Sequence, residues 1–147
     1  MNEEAVGFVW YDSGSLLGII VLKIAAAALA MAVTFTSGTV KETLIPTPDG
    51  GIEDAVVIAP SLAAVKHLRA ETRERAAAFA RGNFVDPTNP HGDLVPGLRE
   101  MRGQWNRVHV RYEDLPAGSR IEYTTNDPVM VEALHQWFVA RAVKKVR

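Results

Sequence analysis

Hydrophobic and polar residues alternate along this chain with two periods, and the changes of period divide it. Residues 16–35 are apolar except for Gly18, Lys23 and Thr34, a run just long enough to span a bilayer. From residue 40 the pattern has a period of two. Val40, Glu42 and Leu44 fall on one side, and Lys41, Thr43 and Ile45 on the other, which predicts a strand. Turn chemistry follows in Pro46-Thr47-Pro48-Asp49-Gly50-Gly51. Ile52, Val56 and Ile58 then occupy alternate positions, so residues 40–45 and 52–59 read as a hairpin.

After Pro60 the period lengthens. Leu62, Val65, Leu68, Thr72, Ala76 and Phe79 recur at spacings of three and four, predicting a helix with one buried stripe. Pro60 suits its first turn and Gly82 its C-terminal cap. Glu71 and Arg75 are spaced to pair on its wet side, and His67 lies beside the stripe. Residues 82–98 break every periodicity. They hold Pro87, Pro90 and Pro96, three glycines and His91. A connection of this length is uncommon in a compact domain and is often functional.

A short helical turn is expected at residues 98–101, then a second hairpin from residues 107–112 and 120–125, joined by Leu115-Pro116-Ala117-Gly118. Val108, Val110, Tyr112, Ile121 and Tyr123 point one way. His109, Arg111, Glu122 and Thr124 share the other face, either as cross-strand charge pairs or as a polar binding face. Asp127 and Pro128 suit the N-cap and first position of a last helix. Its stripe is Val131, Leu134, Phe138 and Ala142, widened by Met130 and Trp137 and flanked by His135. Lys144, Lys145 and Arg147 complement the dipole at its C-terminus.

The expected fold is therefore α+β: a two-layer sandwich of order β–β–α–loop–β–β–α, with an antiparallel sheet, two helices on one face and an N-terminal apolar helix. Residues 1–37 read as a signal peptide or membrane anchor, and residues 38–147 as a single α+β domain. As an anchor, the apolar run carries a central Lys23 that costs roughly 2.5–3.5 kcal/mol unless it snorkels. As a signal peptide, Lys23 is the charge before an apolar stretch, and Ala30-Met31-Ala32 is a small-x-small cleavage site. Glu3, Glu4 and Asp12 make residues 1–22 a poor positive region, which a start at Val21 or Leu22 would remove. A buried helix of a soluble protein is the third reading. Export is expected, to a periplasmic or other extracytoplasmic location, secreted after cleavage near Ala32 or held at the membrane by the uncleaved segment.

Charge and motif content narrow the function. The 16 Lys and Arg nearly balance the 17 Asp and Glu, so no nucleic-acid surface is indicated. The chain has no cysteine, which excludes a disulfide framework, a thiolate zinc site and a cysteine nucleophile. No G-x-S-x-G, H-E-x-x-H, Walker A or G-x-G-x-x-G motif occurs. His91, Asp93 and Glu100 are acid–base material without a placed nucleophile.

Several runs resemble one family. Phe79-Ala80-Arg81-Gly82-Asn83-Phe84, His91-Gly92, Pro96-Gly97-Leu98, Val110-Arg111-Tyr112-Glu113-Asp114-Leu115-Pro116-Ala117-Gly118, Tyr123-Thr124-Thr125, Asp127-Pro128, Ala133-Leu134-His135 and Trp137-Phe138 are similar to motifs of small exported bacterial proteins. Those proteins have no established function and are often labelled aspartate carbamoyltransferase. The resemblance covers roughly residues 40–140. The label does not suit this chain: a carbamoyltransferase catalytic chain is much longer and has an Arg-rich phosphate loop, and a regulatory chain binds zinc through four cysteines. The family pattern implies a His in the first strand, a His in the first helix and His-Gly-x-x-Met-Pro-Gly in the loop, a set suited to a transition metal or haem. Here Glu42 and Glu71 stand at the first two positions, Val95 replaces Met, and His91 remains.

The expected function is a non-catalytic exported module, a binding or assembly domain of the cell envelope with the membrane or an envelope protein as partner. The alternative is a metal-, haem- or small-molecule-binding domain centred on residues 82–98. In that reading Glu42, Glu71 and His91 are the ligands and a divalent transition metal is the cofactor. A small hydrolase or transferase ranks third.

Overall fold

Two hairpins and two amphipathic helices account for most of the architecture. A computed structural model describes residues 32–84 and 95–145. They form an α+β unit of five antiparallel strands and three α-helices. In chain order these are β1 (Val33–Ser37), β2 (Val40–Thr47), β3 (Gly50–Val57), α1 (Leu62–Phe79), α2 (Leu98–Gly103), a 3₁₀ turn (Trp105–Arg107), β4 (His109–Leu115), β5 (Gly118–Thr124) and α3 (Pro128–Lys145). The strand order is β1-β2-β3-β5-β4.

β1 is the departure from the four-strand expectation. Val33–Ser37, read with the apolar run, pairs with β2 through Val33 opposite Leu44 and Phe35 opposite Glu42. The physical reason is a two-residue alternation at the end of the run: Phe35 is buried, whereas Thr34 and Thr36 are exposed. The expected N-terminal apolar helix otherwise lies outside the described residues.

Both long helices cover one face of the sheet. Phe79 of α1 and Trp137 and Phe138 of α3 all pack on Tyr123 of β5, with ring centroids 5.7–6.2 Å apart. Phe84 stacks on Phe79 at 5.1 Å and closes that end of the core. Leu44, Ile121, Met130, Leu134 and Met101 are among the other buried residues of this cluster. A second apolar cluster of Ala55, Val57, Val65 and Leu68 lies under the first half of α1.

Helix ends follow local chemistry, with both ends of α1 shifted from expectation. Pro60 precedes α1 instead of opening its first turn: Ser61 is the N-cap, its hydroxyl accepting from the Ala64 amide at 3.2 Å, and Ala80 rather than Gly82 is the C-cap. The helix begins at Leu62, which is exposed rather than in the buried stripe. Asp127 caps α3 as expected, accepting from the Val129 amide at 2.9 Å. The α3 stripe is rotated slightly from expectation: Ala133 is buried and Val131 half-buried. Gly97 adopts φ +78, and an added Cβ there would lie 1.9 Å from the Ala133 carbonyl oxygen. Only glycine permits that approach, and it sets α2 directly against α3.

Candidate functional site

The phase of β3 creates the most unusual chemistry in the molecule. Its apolar residues Ile52 and Val56 face away from the helices, while Gly51, Glu53, Ala55 and Val57 face the core. Glu53 therefore sits between Leu44 and Ile121 in the sheet, with 1% of its surface exposed. A lone carboxylate there would be strongly unfavourable.

Two helices supply the compensation. Arg75 of α1 donates from Nη2 to Glu53 Oε1 at 2.6 Å. Arg141 of α3 donates from Nη1 to Oε2 at 2.6 Å and from Nη2 to Oε1 at 3.0 Å. The Tyr123 hydroxyl donates to Oε2 at 3.1 Å. Glu42, next to this group on β2, meets Arg141 Nη2 at 3.5 Å. The Arg141 guanidinium also lies over the Trp137 ring, 4.9 Å from its centroid. The same clamp thus ties β2, β3, β5, α1 and α3 together.

Burial alone would push the Glu53 carboxyl up, but the guanidiniums of Arg141 and Arg75 and the hydrogen bonds outweigh it and hold it far below the ordinary carboxylate range. For Arg141, burial acts downward and the charge of Glu53 acts upward; the second wins, and it stays protonated. Burial, with the Glu53 charge, raises the Tyr123 hydroxyl well above its usual value. These shifts hold Glu53 ionised, Arg141 charged and Tyr123 neutral near pH 7, which suits the three to mutual pairing rather than to proton transfer. The clamp is a charge-saturated structural centre. Among the described residues, Arg75 Nε and Ser119 Oγ are buried side-chain atoms without a hydrogen-bond partner.

The residues singled out by sequence fall in different surroundings. Glu42 is buried in the clamp. Glu71 is on the solvent side of α1, with 65% side-chain exposure, and its partner is His67 at 3.4 Å. The expected Glu71–Arg75 pair is replaced by Arg75–Glu53, because an ion partner in the core is a stronger draw than one in water. His91 and Asp93 lie outside the described residues. Among the described residues no three His, Asp or Glu side chains are grouped to hold a metal. His135 places Nε2 3.0 Å from the Thr47 carbonyl oxygen and 2.9 Å from that of Gly50. Two carbonyl acceptors call for a donor, so Nε2–H fastens α3 to the β2–β3 turn.

On the sheet face that no described element covers, two charge pairs cross between strands. Arg111 Nε donates to Glu122 at 2.7 Å. Arg120 grips Asp54 with two bonds of 2.7 and 2.8 Å. A surface groove of about 370 Å³ lies between α2 and α3, lined by Glu100, Pro128, Val129, Glu132, Ala133 and Gln136.

The clamp went unread in the sequence, although a signal exists. Arg75 and Arg141 each fall beside core positions of their own helix, Glu53 takes a core position of β3, and the ion pairs join three separate elements. Pattern reading treats each charge as solvent-facing. No family model matches this chain, and neither curated proteins nor solved structures give a match.

Proposed function

We propose that this chain is an exported or membrane-anchored, non-catalytic module of the cell envelope, whose folded domain begins at β1 and serves in binding or assembly. The observation that carries the reading is where the apolar N-terminal segment meets the fold. β1 starts at Val33, directly after the small-x-small sequence Ala30-Met31-Ala32, so cleavage there would leave all five strands whole. The covered face of the sheet is filled by α1 and α3. The face that no described element covers carries, besides Ile45, Ile52 and Val56, threonines, Lys41, His109 and charges paired across strands. It offers poor lodging for an apolar helix, which favours a leader or anchor over a buried helix. The saturated clamp supports a non-catalytic role. The resemblance of the Phe79–Phe138 motifs to small exported bacterial proteins points the same way.

The test is localisation of the full chain with a C-terminal reporter that is active only outside the cytoplasm. The expected result is reporter activity, with a mature N-terminus at Val33 if the segment is cleaved, or membrane retention if it is not. A soluble, uncleaved cytoplasmic product overturns the reading.

A further inference from the structure

The outer face of α3 carries a pattern that the core does not use. Positions 129, 132, 136, 139 and 143 are spaced alternately by three and four, the seam of a heptad repeat. Their occupants are Val129, Glu132, Gln136, Val139 and Val143. The three valines are 56%, 57% and 55% exposed. All five lie opposite the buried stripe of Met130, Leu134, Phe138 and Ala142. β-Branched residues have below-average helix propensity, so three of them on the wet side of one helix bring no local advantage.

We propose that a second copy of this chain docks on this face, with the two α3 helices antiparallel about a twofold axis midway between Glu132 and Gln136. The inference does not depend on export. Reversing one helix about that midpoint sets Val129 opposite the partner's Val139, and Glu132 opposite the partner's Gln136. Each pair then occurs twice, as an isologous interface requires. The valines close two apolar layers. The Gln136 amide, which donates to Glu132 of its own helix at 3.0 Å, can serve the partner's carboxylate instead. A parallel pair would set Glu132 against its own copy, two like charges in one layer, so charge selects the antiparallel arrangement.

The ends of the helix agree with this. The antiparallel arrangement carries the C-terminal end of α3, just past Val143, to the start of the partner's α3. There the groove is bordered by Glu100, which has no ion partner among the described residues. The helix dipoles are also opposed head to tail. A seam of one helix per copy is at the small end of specific interfaces, so the pair is weak in dilute solution. Tethering both copies to one membrane would raise their effective concentration and strengthen it.

The absence of cysteine makes the test direct. Full-length Val129→Cys and Val139→Cys chains, carrying different tags, are mixed and mildly oxidised. The expected result is a mixed disulfide dimer that forms at least several-fold faster than either self-linked dimer. Leu62→Cys, 88% exposed on α1, reports random collision and should link slowly. Adding Val139→Glu to the Val129→Cys chain, with unchanged circular dichroism, should abolish linking to Val139→Cys. Predominant self-linking of Val129→Cys would show a parallel pair and overturn the proposal. So would linking no faster than Leu62→Cys, whether because the face is bare or because another part of the chain covers it.

Discussion

Glu53 and Asp54 are consecutive on β3, both are held by arginine, and they face opposite sides of one sheet. Asp54 and Arg120 form a two-bond pair on the uncovered face, with side-chain exposures of 19% and 33%. Glu53, completely shielded, needs Arg75 and Arg141 together. The chemistry is the same, and the surroundings make the difference. Water screens the outer pair and leaves a small net gain. In the core, desolvation opposes an attraction that is much stronger at low dielectric, so the inner group is nearly indifferent as a whole and very sensitive to loss of one member. The outer pair decorates a strand whose orientation is already decided. The inner group takes part in deciding it, since without two cations Glu53 could not occupy the covered face.

The largest expected effect is loss of one inner partner. Arg141→Met should destabilise the domain by about 3–5 kcal/mol, measured by denaturant unfolding. Adding Glu53→Met should recover part of that loss, because the stranded carboxylate is removed and Arg75 can reach water. If the double variant is less stable than Arg141→Met alone, the inner group is a net attraction rather than a balanced one.

Acid should sharpen the same contrast. The folded-state pKa of Glu53 is depressed, so its contribution is complete above the unfolded carboxylate range, around 4.3. As pH falls below that range the unfolded state takes up a proton that the native state refuses, and stability drops. Glu53→Gln should therefore flatten the acid limb of the stability curve between roughly pH 5 and pH 2.

The outer pair should matter less. Arg120→Met breaks a part-buried two-bond pair and is expected to cost about 1–2 kcal/mol, less than Arg141→Met. A loss comparable with that of Arg141→Met would erase the distinction between the two faces. Smallest of all is His67→Ala: it removes an exposed i,i+4 pair with Glu71 and should change stability by no more than about 0.5 kcal/mol.

What the sequence made legible follows the same division. The two hairpins, the α1 stripe from Val65 to Phe79 and the Asp127 cap depend on neighbours in the chain, and local pattern reading found them. β1 was hidden because Val33 and Phe35 sit at the end of a longer apolar run that masks their alternation. Arg75 was assigned to Glu71 by helix spacing, but a core carboxylate on another element holds it. Glu53 could not be recognised as an inward residue from β3 alone, where Ile52 and Val56 offer an equally good apolar phase. Of the proposed ligands, Glu42 belongs to the clamp and Glu71 to the surface, and neither role is encoded within a few residues of its position.

The most direct test is a pair of double-mutant cycles on consecutive residues of one strand, Glu53 with Arg141 and Asp54 with Arg120, each measured by denaturant unfolding at neutral pH. The inner pair should show a coupling free energy several-fold larger than the outer pair. Equal couplings, or a larger one outside, would contradict the claim that the buried clamp organises this fold.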